Sequence, residues 1–298
     1  MEYITSSHFI RSTIKCDVSS NELHAPFSIA TKTNGLSIQI SQRPLFQCLF
    51  GYVFLGQWGS CTVVVKCYHI YSLKRKVSFQ NPRIELPHED PIAEINLLQR
   101  LSENQHARHI CPALLGVFES PSGWLFAVSE NCGNDLTFVA PSKQAYARTI
   151  MHSVVRHCLV LKQQCGLSHS DLSLENICLK DGDNVKLIDF GLAAPALKST
   201  TRRSGKLMYM APEIFQAETY YPAEADVWAL GVCLFLITYG QPPQKSVNGP
   251  WWLTFLEQAQ DYQTKAPSLL HSLMACMLTA KPSERIPLEQ ILSHPWFL

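Results

Sequence analysis

Four short strings place charged or amide side chains in otherwise apolar surroundings. They are VVVK at 63–66, Glu94 within PIAEINLLQRL (91–101), HSDLSLEN at 169–176 and DFG at 189–191. A buried lysine needs an anionic partner, and a buried carboxylate needs a cation or hydrogen-bond donors. Lys66 sits in a run of strand character with period two, so it points either to solvent or inward onto such a partner. Asn176 follows Asp171 by five residues, and Asp189 follows Asn176 by thirteen, across DGDN (181–184). DGDN reads as a hairpin turn, which returns the chain and brings Asn176 and Asp189 near one another. An amide oxygen and a carboxylate are hard ligands suited to Mg²⁺, which takes the rest of its shell from water and phosphate. Asp171 would then face whatever lies beyond the phosphate.

The elements that must hold these residues follow from pattern. LSIQISQ (36–42), CLFGYVFL (48–55) and CTVVVKCYHI (61–70) alternate or run in β-branched and aromatic residues, with GQWGS (56–60) as a turn. They predict three successive antiparallel strands. Asp90 suits an N-cap and Pro91 the first helical position. Ile92, Ile95, Leu98 and Leu101 then recur at helical spacing, so Glu94 rides on a helix. PALLGVFE (112–119) and GWLFAVSE (123–130) predict two further strands around a turn at 120–123.

Beyond this region helix dominates. Ile150, Met151, Val154, Val155, Cys158, Leu159 and Leu161 share one face of a helix that Gly166 closes, and ENICLK and NVKLID form the hairpin around DGDN. Segments 228–239, 252–259, 268–278 and 288–293 complete the helical set. The expected fold is α+β in two lobes with a cleft between them, where ligand sites tend to form. The N-lobe, about 36–131, is an antiparallel sheet plus one helix; the C-lobe, about 132–298, is mostly helical. Residues 1–35, rich in Ser, Thr, Asn and His, read either as a partly ordered extension or as a piece of a further domain.

Composition narrows the function. The chain has 298 residues, 46% apolar and 16% charged, with 25 basic and 24 acidic side chains for a net charge of +1. That is too apolar and too neutral for a disordered tail, and it lacks the basic excess with which a protein grips nucleic acid. No nucleic-acid partner is expected. Eleven cysteines, an odd number with no C-x-x-C pair, argue for reduced thiols rather than a disulfide scaffold or zinc ribbon. The N-terminus lacks the basic-then-apolar order of a signal peptide. The longest apolar run, 227–240, is too short to span a bilayer and reads as a buried helix. A cytoplasmic or nuclear protein without a membrane span is expected, and the sequence leaves its oligomeric state open.

Taken in order, the strings resemble the eukaryotic protein kinase family over about 255 residues, 45–298. Lys66 matches the lysine of strand three and Glu94 its helix partner. HSDLSLEN matches the catalytic loop, DFG is intact, and Ala211, Pro212 and Glu213 read as APE. GKLMYMAPE (205–213), DVWALGV (226–232), KPSERI around Arg285 and HPWF (294–297) match further landmarks. The resemblance implies ATP and Mg²⁺ as cofactors and protein substrates as partners, and GKLMYMAPE looks like the serine/threonine-directed type. It implies that Lys66, held by Glu94, neutralises the α- and β-phosphates, and that Asp189 and Asn176 hold Mg²⁺. Asp171 orients the attacking hydroxyl and accepts its proton as catalytic base. It further implies a hinge at Glu130 to Cys132 under the adenine, Ser129 as gatekeeper and Asp135 toward the ribose. Gly51, Val53, Val64 and Cys178 line the nucleotide, and Glu213 pairs with Arg285.

The chain also departs from the family. Phe46, Cys48 and Gly51 fall on the three glycines of G-x-G-x-x-G, so only the third survives, and weaker nucleotide binding is the expected cost. Gly56 and Gly59 read instead as a hairpin turn. Ser170 replaces the arginine of H-R-D, which points to activity independent of an activation-loop phosphate. Ser173 replaces the lysine two residues after the catalytic aspartate. Lys206, in place of the threonine of G-T-x-x-Y, is the candidate cation for that vicinity. His169 reads as a packed core histidine, and Trp251 with Trp252 as packing at a helix start. Two functions stand: a serine/threonine protein kinase, or a pseudokinase serving as scaffold or allosteric partner with weak or no turnover.

Overall fold

The β-branched and aromatic runs in the first part of the chain form strands, and the period-3.6 runs that follow form helices, in a computed structural model. It describes residues 13–18, 28–31, 37–41, 43–85, 90–138, 144–182, 184–243 and 250–298. The chain divides into two compact units, Met1–Glu103 with Pro112–Asn131, and Asn104–Cys111 with Cys132–Leu298.

The first unit holds β1 (Thr13–Val18), β2 (Ser28–Thr31), β3 (Ser37–Ile40), β4 (Phe46–Cys48), β5 (Gly51–Trp58) and β6 (Cys61–His69). Helices α1 (Ile70–Arg75) and α2 (Pro91–Glu103) follow, then β7 (Leu114–Glu119) and β8 (Trp124–Glu130). The strands form one sheet in the order β3-β2-β1-β7-β8-β6-β5-β4, and β3 also pairs with β5, so the sheet closes on itself. All pairs are antiparallel except β1 with β7. Ile38, Ile40, Phe54, Val63, Val65 and Phe126 belong to one buried cluster. Because successive side chains alternate, Val64 and Lys66 take the opposite face of β6 from Val63 and Val65.

Three details differ from the sequence expectation. The run 48–55 is not one strand, because Cys48 pairs with Gly51 and a tight turn at Leu49 and Phe50 intervenes. The strand after that turn extends to Trp58, so the next turn narrows to Gly59 and Ser60, with Gly59 at φ 59° while Gly56 stays in the ladder opposite Val63. A second helix, α1, precedes α2; Lys74 and Arg75 suit its C-terminal dipole, and Lys76 ends it at φ 52°. Within 1–35, β1 and β2 pair into the sheet; the remaining positions of that segment lie outside the described residues. At α2, Asp90 Oδ1 accepts the Ala93 N–H at 3.0 Å, the N-cap its sequence suggests.

The second unit contains β9 (Asn134–Asp135), α3 (Gln144–Cys165), β10 (Leu167–Ser168), β11 (Ile177–Lys180), β12 (Asn184–Leu187) and β13 (Ala194–Pro195). It continues with α4 (Glu213–Gln216), α5 (Pro222–Tyr239), α6 (Trp251–Lys265) and α7 (Leu269–Met277). The β11–β12 hairpin pairs Ile177 with Leu187, and β9 lies on its other edge. Segment 288–293 is helical as expected, in the 3-10 form. Helix α5 is long and apolar enough to cross a membrane, yet 83% of it is buried within the unit. A helix apolar all round and so enclosed is a core helix, built here on Trp228, Leu230, Val232 and Phe235.

Candidate functional site

Register alone groups several of the expected site residues in the first unit. Val53 on β5 lies opposite Lys66 on β6, which lies opposite Ala127 on β8. One pleat along, Leu55, Val64 and Ser129 form the next such row. Val53, Val64, Lys66 and Ser129 therefore share the sheet face opposite the closed interior. On this face α2 packs through Ile95 against Tyr68, Val117, Leu125 and Ala127. That packing delivers Glu94: its Oε1 lies 2.5 Å from Lys66 Nζ, and the Tyr68 hydroxyl donates to its Oε2 at 3.5 Å. Of the two readings open for Lys66, the paired one holds. Its side chain is 28% exposed and that of Glu94 12%, so the ammonium is reachable while its partner is largely enclosed.

The hairpin at the expected glycine loop is built on side-chain packing. Phe50 turns inward and joins the cluster of Tyr68, Ile95 and Leu125, while Phe46 and Leu49 face solvent. Cys48 lies close enough to Lys66 for its charge to favour the thiolate, although burial outweighs this and holds the thiol above its usual range. Gly51 is required by contact: a Cβ there would stand 2.0 Å from the Cys67 carbonyl oxygen across the β5–β6 ladder. The surviving glycine thus lets two strands approach.

In the second unit, Asp171 is the focus of a hydrogen-bond network. Asn176 Nδ2 donates to both the Asp171 backbone carbonyl and its Oδ2, each at 2.8 Å. The Lys206 N–H donates to Oδ1 at 3.1 Å, and Lys206 Nζ reaches Oδ2 at 3.4 Å and Ser173 Oγ at 2.8 Å. With both amide hydrogens of Asn176 on Asp171, its oxygen is the end that Asp171 does not engage. The Ile188 N–H donates to the Asn176 carbonyl at 2.9 Å, so the β11–β12 hairpin sets Asp189 one residue beyond that bond. Asp189 is exposed and left-handed at φ 63°, a conformation a short polar side chain tolerates. Among the described residues no group of three or more His, Cys, Asp or Glu could hold a metal by itself. Asn176 and Asp189 each carry an oxygen of the kind a cation could take while drawing its remaining shell from phosphate and water. Beside Asp171 an open hollow is lined by Leu172, Gly205, Tyr209, Met210, Ile214 and Pro222 among others.

Buried polar groups brace the loop. Asp226, at the start of the apolar run in α5, accepts the His169 N–H at 2.8 Å and the Ser170 N–H at 3.0 Å. Burial pushes its carboxyl up to about 7 against the pull of those two donors. Ser170, held at φ 64°, depends on this anchor. The His169 ring is buried, with Nε2 3.0 Å from the Ile188 carbonyl and its face near Phe190, and burial lowers its pKa. It packs, as expected. Arg285 grips Glu213 through two bonds of 2.7 and 2.8 Å in full burial. Trp251 lies edge-on to Phe215. Asp226 was missed as a site residue, although an acid opening a long apolar run was its signal.

The remaining expected nucleotide contacts are placed as follows. Glu130 ends β8, and its Oε2 accepts the Ala113 N–H at 3.3 Å. In the second unit, Cys132 is buried, and Asp135 pairs with Cys178 across β9 and β11. Asp135 Oδ1 accepts the Thr137 N–H at 2.9 Å and the Thr137 hydroxyl, so this carboxylate also stabilises its own turn. Burial pushes the Cys178 thiol up to about 11.

Residues 52–297 match the family described as Protein kinase domain. The chain is 30% identical over 218 residues to the Maternal embryonic leucine zipper kinase of Xenopus tropicalis, covering 69% of this chain and 32% of that protein. It is 32% identical over 151 residues to Serine/threonine-protein kinase CHK1 of Saccharomyces cerevisiae, covering 46% and 29% respectively. Against the human NUAK family SNF1-like kinase 1 the identity is 33% over 146 residues, covering 48% and 22%. The chain thus spans about a third or less of the length of these relatives.

Proposed function

The chain belongs to the protein kinase family, and on that footing we propose that it transfers the γ-phosphate of ATP to serine or threonine hydroxyls of protein substrates. The observation that carries this reading is Asp171, whose carboxylate is held by Asn176 and Lys206 beside an open hollow. A carboxylate fixed in this way can accept a hydroxyl proton at Oδ while orienting the oxygen for attack. Lys66, tethered by Glu94, presents an ammonium to the α- and β-phosphates. Asn176 and Asp189 are the residues that would hold Mg²⁺, which when bound neutralises phosphate charge. Relatives named as serine/threonine kinases support the choice of acceptor. A cytoplasmic or nuclear location belongs to the same reading.

A second reading has its own observation. The hairpin carries Phe46 and Cys48 where the family has glycines, and its tip residue Phe50 is packed inward. A chain so built would bind nucleotide weakly and act as a scaffold or allosteric partner. The deciding experiment is turnover of Mg-ATP with a generic protein acceptor, with Asp171→Asn as control, alongside a thermal-shift titration with Mg-ATP. Phosphate incorporation that the variant lacks supports the enzyme. Equal silence of both proteins with a flat thermal shift replaces it with the scaffold.

A further inference from the structure

We propose that Lys206 is the cation that meets the transferring phosphoryl group, supplied from the segment before APE because position 173 carries a serine. The inference rests on the kinase reading above and adds a residue to it. Lys206 holds the base at two atoms, through its backbone N–H to Oδ1 at 3.1 Å and through Nζ to Oδ2 at 3.4 Å. Ser173 is fully buried, and its hydroxyl accepts from the same ammonium at 2.8 Å. The serine thereby becomes the anchor of a charge rather than its source.

An ammonium has three donors, and these two contacts engage two of them. The Lys206 side chain is 38% exposed, so its remaining donor can meet an incoming anion. An attacking hydroxyl must lie within about 2.6–3.2 Å of a carboxylate oxygen of the base. A hydroxyl seated on Oδ2 would stand beside an ammonium that lies 3.4 Å from that oxygen, and so would the phosphorus it approaches. Positive charge there acts on the equatorial oxygens as the phosphoryl group moves. If the pair served only to hold the loop together, the lysine would neutralise Asp171 and never meet nucleotide.

The test separates these roles with an ATP analogue bearing an acyl group on its terminal phosphate. A lysine amine near that phosphate attacks the acyl carbon, an amide forms, the mixed-anhydride bond breaks and ATP departs. Peptide mass spectrometry then locates the acylated lysines. Acylation of both Lys66 and Lys206, suppressed by excess Mg-ATP, is expected. In the exchanged variant Ser173→Lys with Lys206→Thr, the acylation moves to position 173. Acylation of Lys66 without Lys206 overturns this proposal alone, and acylation of neither overturns the nucleotide reading together with it. In transfer assays, Lys206→Met, checked for folding by its melting curve, lowers kcat about 100-fold and leaves KM for ATP within about threefold. A kcat within about threefold of the parent overturns the proposal.

Discussion

Asn176 donates both hydrogens of its side-chain amide to Asp171, one to the backbone carbonyl and one to the carboxylate, each at 2.8 Å. The loop residue that would hold a cation therefore also sets the rotamer of the base. Asp171→Asn keeps the shape but removes the proton acceptor. It also leaves only one oxygen for three donors, Asn176 Nδ2, the Lys206 N–H and Lys206 Nζ. Phosphate transfer should fall at least about 10²- to 10⁴-fold. Stability should fall by about 1–3 kcal/mol, because at least one donor is left facing the new amide hydrogens. Parallel assays of transfer and melting check this, and transfer retained in a folded variant would remove Asp171 from the role of base.

Gly51 offers a test of what the surviving glycine does. A Cβ at this position would meet the Cys67 carbonyl oxygen at 2.0 Å. Backbone cannot yield as a flexible side chain can, so Gly51→Ala should destabilise the first unit by about 1–3 kcal/mol through overpacking. Chemical denaturation reads this directly, with no nucleotide present. A variant as stable as the parent, and altered only in nucleotide affinity, would assign the glycine to phosphate approach.

The sequence made some contacts visible and concealed others for physical reasons. Lys66 stands in an apolar string, where burial demands a partner, and Glu94 supplies it; the pairing of Glu213 with Arg285 was legible only through the family resemblance. The β11–β12 hairpin was visible because DGDN joins two runs of strand character. The closure of the sheet through β1, β2 and β3 was not, because it depends on non-local pairing. Phe50 was hidden for a related reason: alternation does not reveal a two-residue turn inside a continuous apolar run. Helix α1 lies in a mostly polar stretch; the residue it buries is Ser72, and Ile70 and Leu73 are only half-buried against the sheet. Lys206 and Ser173 are 33 positions apart. Their substitutions were legible one by one, while the 2.8 Å contact between them required the fold.

Glu213 and Arg285 form a bidentate pair in which both side chains are removed from water. Arg285 also donates to the carbonyls of Glu224 and Thr279 and lies over the Trp228 ring, so it joins α4, α5 and the chain after α7. Deleting either partner strands a buried charge. Arg285→Ala should cost about 3–5 kcal/mol, read by denaturant unfolding of the whole chain. Pairing it with Glu213→Gln should cost less than the sum of the single changes, because the stranded carboxylate is gone. Strict additivity would show that the pair is not coupled.

Acid should weaken the second unit through two imidazoles, His169 buried and His157 half-buried. His157 lies near Lys186 and Arg156; burial, aided by those charges, pushes its pKa down to about 4. Burial lowers that of His169 as well. Both rings are neutral in the folded chain at a pH where the unfolded chain, with an ordinary histidine pKa near 6.5, already binds protons. A depressed folded pKa means that stability is whole above about pH 6.5 and declines as pH falls toward the folded value. For His157 the window runs from about 6.5 to about 4. Each such group steepens the decline by at most about 1.4 kcal/mol per pH unit. Asp226, pushed up to about 7 by burial, binds a proton in the folded chain over the same range and offsets one of the two imidazoles. Unfolding free energies should therefore fall only from about pH 6 to 5, and His157→Gln should remove up to one proton from the uptake that accompanies unfolding. An unchanged slope in that variant would show that His157 is hydrated and titrates alike in both states.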